Sequence, residues 1–204
     1  MAIYYISDIH FGCENKHDGR TLERDQEYID NHNRIVTNAD TVYFLGDIGK
    51  FGGNRNIEHI CRCISVLKGK TKILIVGNHD EPKDARIKQL FTEICDYKEV
   101  SDNSNGIGRN VVLSHYPQLF WNSQHGSEKK LPAIHLYGHL HQSEEEYIYQ
   151  DALNKINKYF ATRKVLGDPR CEEIHAYNVG AMMPWMNNCP RTLDEIIAWH
   201  ENIN

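Results

Sequence analysis

Five short polar clusters in this chain combine carboxylates, imidazoles and an amide: Asp8-Ile9-His10, Gly46-Asp47, Gly77-Asn78-His79-Asp80, Ser114-His115 and Gly138-His139-Leu140-His141. Oxygen and imidazole donors in this mixture suit borderline divalent metals such as Mn, Fe, Co, Ni or Zn. The spacing of two in Asp8/His10 and in His139/His141, read as the continuation of a strand, puts both side chains of each pair on one side. Asp47 carries two oxygens and can bridge two cations. Gly46, Gly77 and Gly138 permit tight turns and close backbone approach. Two divalent ions set against Asp8 and Asp47 leave an excess of about two positive charges, which favours an anion such as a phosphate. Two metals about 3.5–4 Å apart can clamp a phosphoryl group and hold an acidified water between them for in-line attack on phosphorus.

Each block is weak alone, because D-x-H and G-D are commonly turns and histidines often sit satisfied in hydrogen-bond networks. Their positions give them force. Apolar, β-branched or aromatic runs at 3–7, 41–45 and 72–76 read as strands, and the first three blocks follow them directly. Segments 23–37, 56–67 and 83–95 between and after these runs carry apolar residues at helical spacing. Strand and helix in alternation predict an α/β unit with parallel strands. Further strands are predicted at 97–100, 111–114, 133–137 and 174–179, with a hairpin-type loop over 103–109 and a closing helix over 192–201. In open α/β sheets ligands bind beyond the carboxyl ends of strands, so the five blocks are expected to converge on one sheet edge. The stretch 143–172 reads as a charged, partly helical insertion or lid within one domain spanning 1–204. Its Glu144–Glu146 run reads as a solvated face.

The 204 residues allow one full hydrophobic core, and 40% hydrophobic with 25% charged residues is ordinary for a globular chain. A net charge of −5 weighs against strong non-specific nucleic-acid binding, which needs a basic surface. No run approaches the roughly 20 apolar residues of a membrane span. The N-terminus MAIYYISDIH lacks a basic, apolar leader, so a reducing cytoplasm is the expected compartment for the six cysteines. Cys61 and Cys63 stand two apart on a predicted helix and point in different directions, so no cysteine metal site is expected there. Arg20, Arg24 and Lys50 could contact a phosphate, although solvated charge is the ordinary reading. Trp121 could stack on a base or an aromatic leaving group, or pack at the rim.

The five blocks, in this order, resemble the calcineurin-like metallophosphoesterase family, whose pattern is D-x-H, G-D, G-N-H-D/E, a later histidine and G-H-x-H. The segments SDIHFG, LSHYP and NVGAMM…CPRTLDEI are similar to a small bacterial and phage branch of that family. The resemblance implies a four-layer α/β/β/α sandwich with the site at its rim. It implies Asp8, His10 and His141 on a first metal, Asp47 bridging, and Asn78, His115 and His139 on a second, with Mn among the metals expected. His79 is implied as the general acid or transition-state donor near the leaving group. The implied activity is hydrolysis of a phosphoester, a phosphodiester or small nucleotide in preference to a phosphoprotein, by a metal-bridging hydroxide. Protein-phosphatase members carry an aspartate three positions after the bridging one, where this chain has Lys50, which argues against a phosphoserine substrate. The branch tends to have histidine where Cys13 follows HFG. A nuclease and a non-catalytic scaffold of the same fold are the alternatives.

Overall fold

The computed structural model describes residues 1–13, 22–49, 54–103, 106–126, 130–165 and 172–202. The expected alternation is present at the start: β1 (Ile3–Ile6), α1 (Leu22–Ile35), β2 (Thr41–Phe44), α2 (Asn54–Val66) and β3 (Thr71–Ile75). The three strands pair in parallel, in chain order. Segment 83–95 departs from its helical reading. Only α3 (Ala85–Lys88) is helical, started by the Asp84 side chain accepting from the Arg86 N–H. The chain then extends into β4 (Glu93–Cys95), which pairs parallel to β3. Ile87 and Phe91 are buried all the same. Ile87 lies in the single helical turn and Phe91 between it and β4, so burial is met without a longer helix and sheet pairing overrides local periodicity.

The second sheet has the order β5 (Tyr97–Asp102), β6 (Arg109–Ser114), β7 (Ile134–Tyr137) and β8 (Ala176–Asn178). The β5–β6 hairpin is antiparallel and the other pairs are parallel. Its faces alternate as the pleat requires. Val111, Leu113, Ile134, Leu136 and Tyr177 enter the main core with residues of the first sheet, α1 and α2. Val112, Tyr137 and Ala176 point the other way, into a second cluster with Tyr149 and Leu153 of α4 (Glu144–Val165). Helices, sheet, sheet and helix give the mixed α/β sandwich expected. The stretch read as an insertion or lid is, over its described part, this α4; residues 166–171 lie outside the described residues.

α4 has three glutamates in its first turn and Arg163 and Lys164 in its last, which complements the helix dipole. One of those glutamates corrects the solvated-face reading. Glu146 is buried, where its carboxylate accepts from Tyr137 Oη at 2.7 Å and Asn178 Nδ2 at 2.9 Å. The closing helix α5 (Leu193–Glu201) begins with a reciprocal capping box between Thr192 and Glu195. The sheets meet where Ser7, just after β1, donates its N–H to Val179 O at 2.9 Å and accepts from the Ala181 N–H at 2.8 Å. Both sheets therefore deliver strand ends to one rim. Among the described residues no helix is long and apolar enough to cross a membrane, and Cys13, Cys61, Cys63, Cys95 and Cys189 are free thiols.

Candidate metal centre

Asp8 and His10 follow β1, Asp47 follows β2, Asn78 and His79 follow β3, His115 follows β6, and His139 and His141 follow β7. The expected convergence is present. One group joins Asp8, His10 and His141, and a second joins Asp47, His115 and His139, with donor atoms within 4.8 Å of one another in each. In the first, His141 Nε2 lies 3.2 Å from Asp8 Oδ1 and 3.3 Å from His10 Nε2. In the second, His115 Nε2 lies 3.5 Å from Asp47 Oδ1 and 3.0 Å from Asn78 Oδ1. Asp47 faces both groups, since its Oδ2 stands 3.8 Å from His10 Nε2.

Local backbone geometry differs from the strand continuation assumed from spacing. Asp8, His10, Asp47, His139 and His141 all have positive φ, between 51° and 70°. Left-handed turns, and not the pleat, aim these side chains. Asp, Asn and His tolerate that region better than other non-glycine residues. The turns are tied to one another: Asp8 N–H donates to Gly46 O and His10 N–H to Asp47 O, both at 3.0 Å. His139 N–H donates to Asp8 Oδ2 at 3.0 Å. Gly46 is itself left-handed at φ 89°. Gly138 is needed for space, because a Cβ there would collide with Ser7 Oγ and Asp8 Oδ2.

Supporting groups set the electrostatics. Asp8, His10, Asp47 and His115 are all buried. Burial pushes the Asp8 carboxyl up, but His141, His115 and Ser7 outweigh it and hold the group below its ordinary range. Burial, followed by the nearby His115, lowers His139. His115 Nδ1 donates to Leu45 O at 2.8 Å, which fixes the ring and its tautomer. Nε2 faces Asp47 Oδ1 and Asn78 Oδ1, and these three atoms together are a donor set that a cation satisfies. The donor set thus fits borderline divalent ions.

Asp80, a motif residue given no role from sequence, is a backbone clamp. Its Oδ2 accepts from Gly77 N–H at 2.8 Å and Asp47 N–H at 2.9 Å, and its Oδ1 from Ile48 N–H at 3.0 Å. Burial raises its carboxyl to about 6 against the pull of those donors. Asn178 does similar work on the other sheet, donating to His141 O at 3.4 Å and accepting from Gly180 N–H at 2.9 Å.

Residues 1–168 match the calcineurin-like phosphoesterase superfamily domain. The chain belongs to that superfamily. Calcineurin-like phosphoesterases are in general metal-dependent, and the two ligand groups here fit that chemistry. A solved structure, the protein of unknown function AQ665 from Aquifex aeolicus, is similar at 25% identity and TM-score 0.66, covering 97% of this chain and 98% of that one. Phosphopantetheinyl hydrolase (PptH) from Mycobacterium tuberculosis aligns at 14% identity and TM-score 0.35, over 64% of this chain and 46% of that one. Among curated proteins none matches.

The remaining expected contacts fall differently within this phosphoesterase. Trp121 is buried in the second cluster and donates Nε1–H to Ala133 O at 2.8 Å, so the structure assigns it to the core and not to a ligand surface. Arg24 Nη2 donates to Asn188 Oδ1 at 3.2 Å. Lys50 and Arg20 lie outside the described residues. His79 is exposed, 5.5 Å from the His10 ring, and its backbone N–H donates to Asp47 Oδ1 at 2.8 Å. The aromatic that sequence reasoning missed is Tyr116. Its half-exposed ring lies 4.6 Å from the His139 ring and 5.1 Å from the His115 ring, edge-on to both. Its place directly after His115 was the available signal.

Proposed function

We propose that this chain hydrolyses a phosphodiester or small nucleotide at a dinuclear metal centre. The observation that carries the reading is the placement of Asp47, one buried carboxylate with Oδ1 toward His115 and Oδ2 toward His10. Asp8, His10 and His141 would hold one ion, Asn78, His115 and His139 the other, and Asp47 both. Ions so held would supply positive charge for the phosphoryl oxygens and would lower the pKa of a bound water, with Mn favoured and Fe, Co, Ni and Zn compatible.

The protein's own groups do the rest. The hydrogen bond from His115 to Leu45 keeps Nε2 available, and the Asp80 clamp holds the turn that carries Asp47. His79, exposed beside His10, donates a proton to the departing oxygen. Tyr116, half-exposed beside His139, would pack its ring against a planar part of the substrate.

The test is turnover of bis(p-nitrophenyl) phosphate beside p-nitrophenyl phosphate, in metal-stripped protein refilled with Mn, Fe, Co, Ni or Zn. Metal-dependent cleavage with the diester preferred is expected. Preference for the monoester would overturn the diester assignment, and absence of turnover with every metal would overturn catalysis.

A further inference from the structure

Between them, α1 and α2 bring together another mixed set of donors, distinct from the residues of the rim. Asp25 Oδ2 lies 2.7 Å from His59 Nε2, and Cys63 Sγ lies 3.4 Å from the same nitrogen. The three donor atoms fall within 4.8 Å of one another. Asp25 and Cys63 are buried and His59 is partly so. His59 and Cys63 stand four apart and share one face of α2. The sequence spacing of Cys61 and Cys63 predicts no cysteine metal site on this helix, but Cys63 meets His59 on the adjacent turn and not Cys61.

We infer that Asp25, His59 and Cys63 form a separate site for one divalent ion of zinc type. Nitrogen, oxygen and sulfur donors in one cluster are a borderline-metal set. Around a tetrahedral zinc, with bonds of about 2.0–2.3 Å, such donors stand roughly 3.3–3.6 Å apart. The sulfur–nitrogen separation already meets that spacing, and the oxygen–nitrogen one needs to open by roughly half an ångström. A nucleophilic thiol is the competing reading, and the geometry rejects it. A Cys-His-Asp relay uses opposite nitrogens of the imidazole, whereas here the acid and the thiol meet the same one. Burial also pushes the Cys63 thiol up to about 12, so the thiol is inert unless an ion displaces its proton. Asp25 Oδ2 accepts the Gly12 N–H at 2.8 Å. An ion at this site therefore staples α1, α2 and the turn that follows His10.

Cobalt distinguishes this site from the rim, because the rim donors include no sulfur. Metal-stripped protein is titrated with Co(II) and read for the sulfur-to-cobalt charge-transfer band in the near ultraviolet, with bound cobalt counted by elemental analysis. The band is expected in the parent protein, lost in Cys63→Ser and in His59→Gln together with one equivalent of cobalt, and kept in Asp47→Asn. His59→Gln serves where Cys63→Ser does not fold, since it leaves the thiol in place. Absence of the band at saturating cobalt, or a band that survives either substitution in folded protein, overturns the site.

Discussion

Replacing Gly138 by alanine tests the packing of the rim most directly. The new Cβ would overlap Ser7 Oγ and Asp8 Oδ2 and would lie 2.8 Å from Ser7 Cβ. Ser7 must swing away, which breaks its 2.6 Å hydrogen bond to the Asp8 carboxylate. Overpacking costs about 1–3 kcal/mol. A lost hydrogen bond to a buried charge costs about 1.5–3 kcal/mol. The sum is about 2.5–6 kcal/mol, and at roughly 2–4 °C per kcal/mol for a chain of this size the Tm falls by about 5–24 °C. Asp8 loses the group that orients it, so the ion proposed at Asp8, His10 and His141 is expected to weaken more than the one proposed beside it. The assay is Tm by differential scanning calorimetry, with metal content after dialysis against a weak chelator. Unchanged Tm together with unchanged content of both ions would refute the close approach on which this reasoning depends.

Asp47→Asn removes one of the two oxygens that face the ligand groups; activity is expected to drop at least about 10³-fold while far-ultraviolet circular dichroism stays unchanged. Full turnover in that variant would end the dinuclear proposal. His79→Ala should lower kcat about 10²–10⁴-fold for alkoxide leaving groups and less for p-nitrophenolate, and equal losses would count against proton donation. Tyr116→Ala should raise KM about tenfold for nucleoside p-nitrophenyl phosphates but little for the methyl ester, from loss of about 1–3 kcal/mol of stacking; an equal change for both esters would show no ring contact. Burial depresses His32 and His135 to about 4 in the folded protein, against about 6.5 unfolded. Unfolded chain therefore binds the extra protons between those values, so stability is full above pH 6.5 and falls as pH drops toward 4, by up to about 3 kcal/mol per ring. Urea midpoints at pH 7 and pH 5 in His32→Asn and His135→Asn should show a smaller pH dependence than the parent.

The site blocks were legible in the sequence because each is a few residues long and follows a recognisable strand. Tertiary partners were not legible. Trp121 and Tyr116 are both aromatic residues shortly after His115, and nothing local says which one α4 covers. The helix buries Trp121 beside Tyr149 and Leu153 and leaves Tyr116 against the rim. Glu146 likewise looked like one of three surface glutamates until Tyr137 and Asn178 supplied its donors. At 83–95 the apolar spacing suited a helix, yet the free edge of β3 drew Glu93–Cys95 into the sheet. In each case a neighbour distant in sequence decided between two locally acceptable states.

The five left-handed residues at the rim connect fold, stability and chemistry. Each non-glycine residue in that region costs about 1–2 kcal/mol. Five of them total roughly 5–10 kcal/mol, comparable with the entire net stability of a typical domain. Glycine would remove the strain, but at Asp8, His10, Asp47, His139 and His141 it would also remove the side chain proposed to bind metal. The cost is therefore inseparable from the site and is offset elsewhere. Part of the offset is the backbone network that runs from Asp8 to Gly46, from His10 to Asp47 and from Gly138 N–H to His115 O at 3.0 Å. The rest comes from the buried residues of both sheets directly behind these turns, among them Ile6, Leu45, Leu113 and Tyr137. A sheet end can hold strained turns in register because its strands cannot slide without exposing that core. Spacing of two picked out in the sequence pairs that the structure brings into the two donor groups, but the strand ends and the turns they support are what aim them.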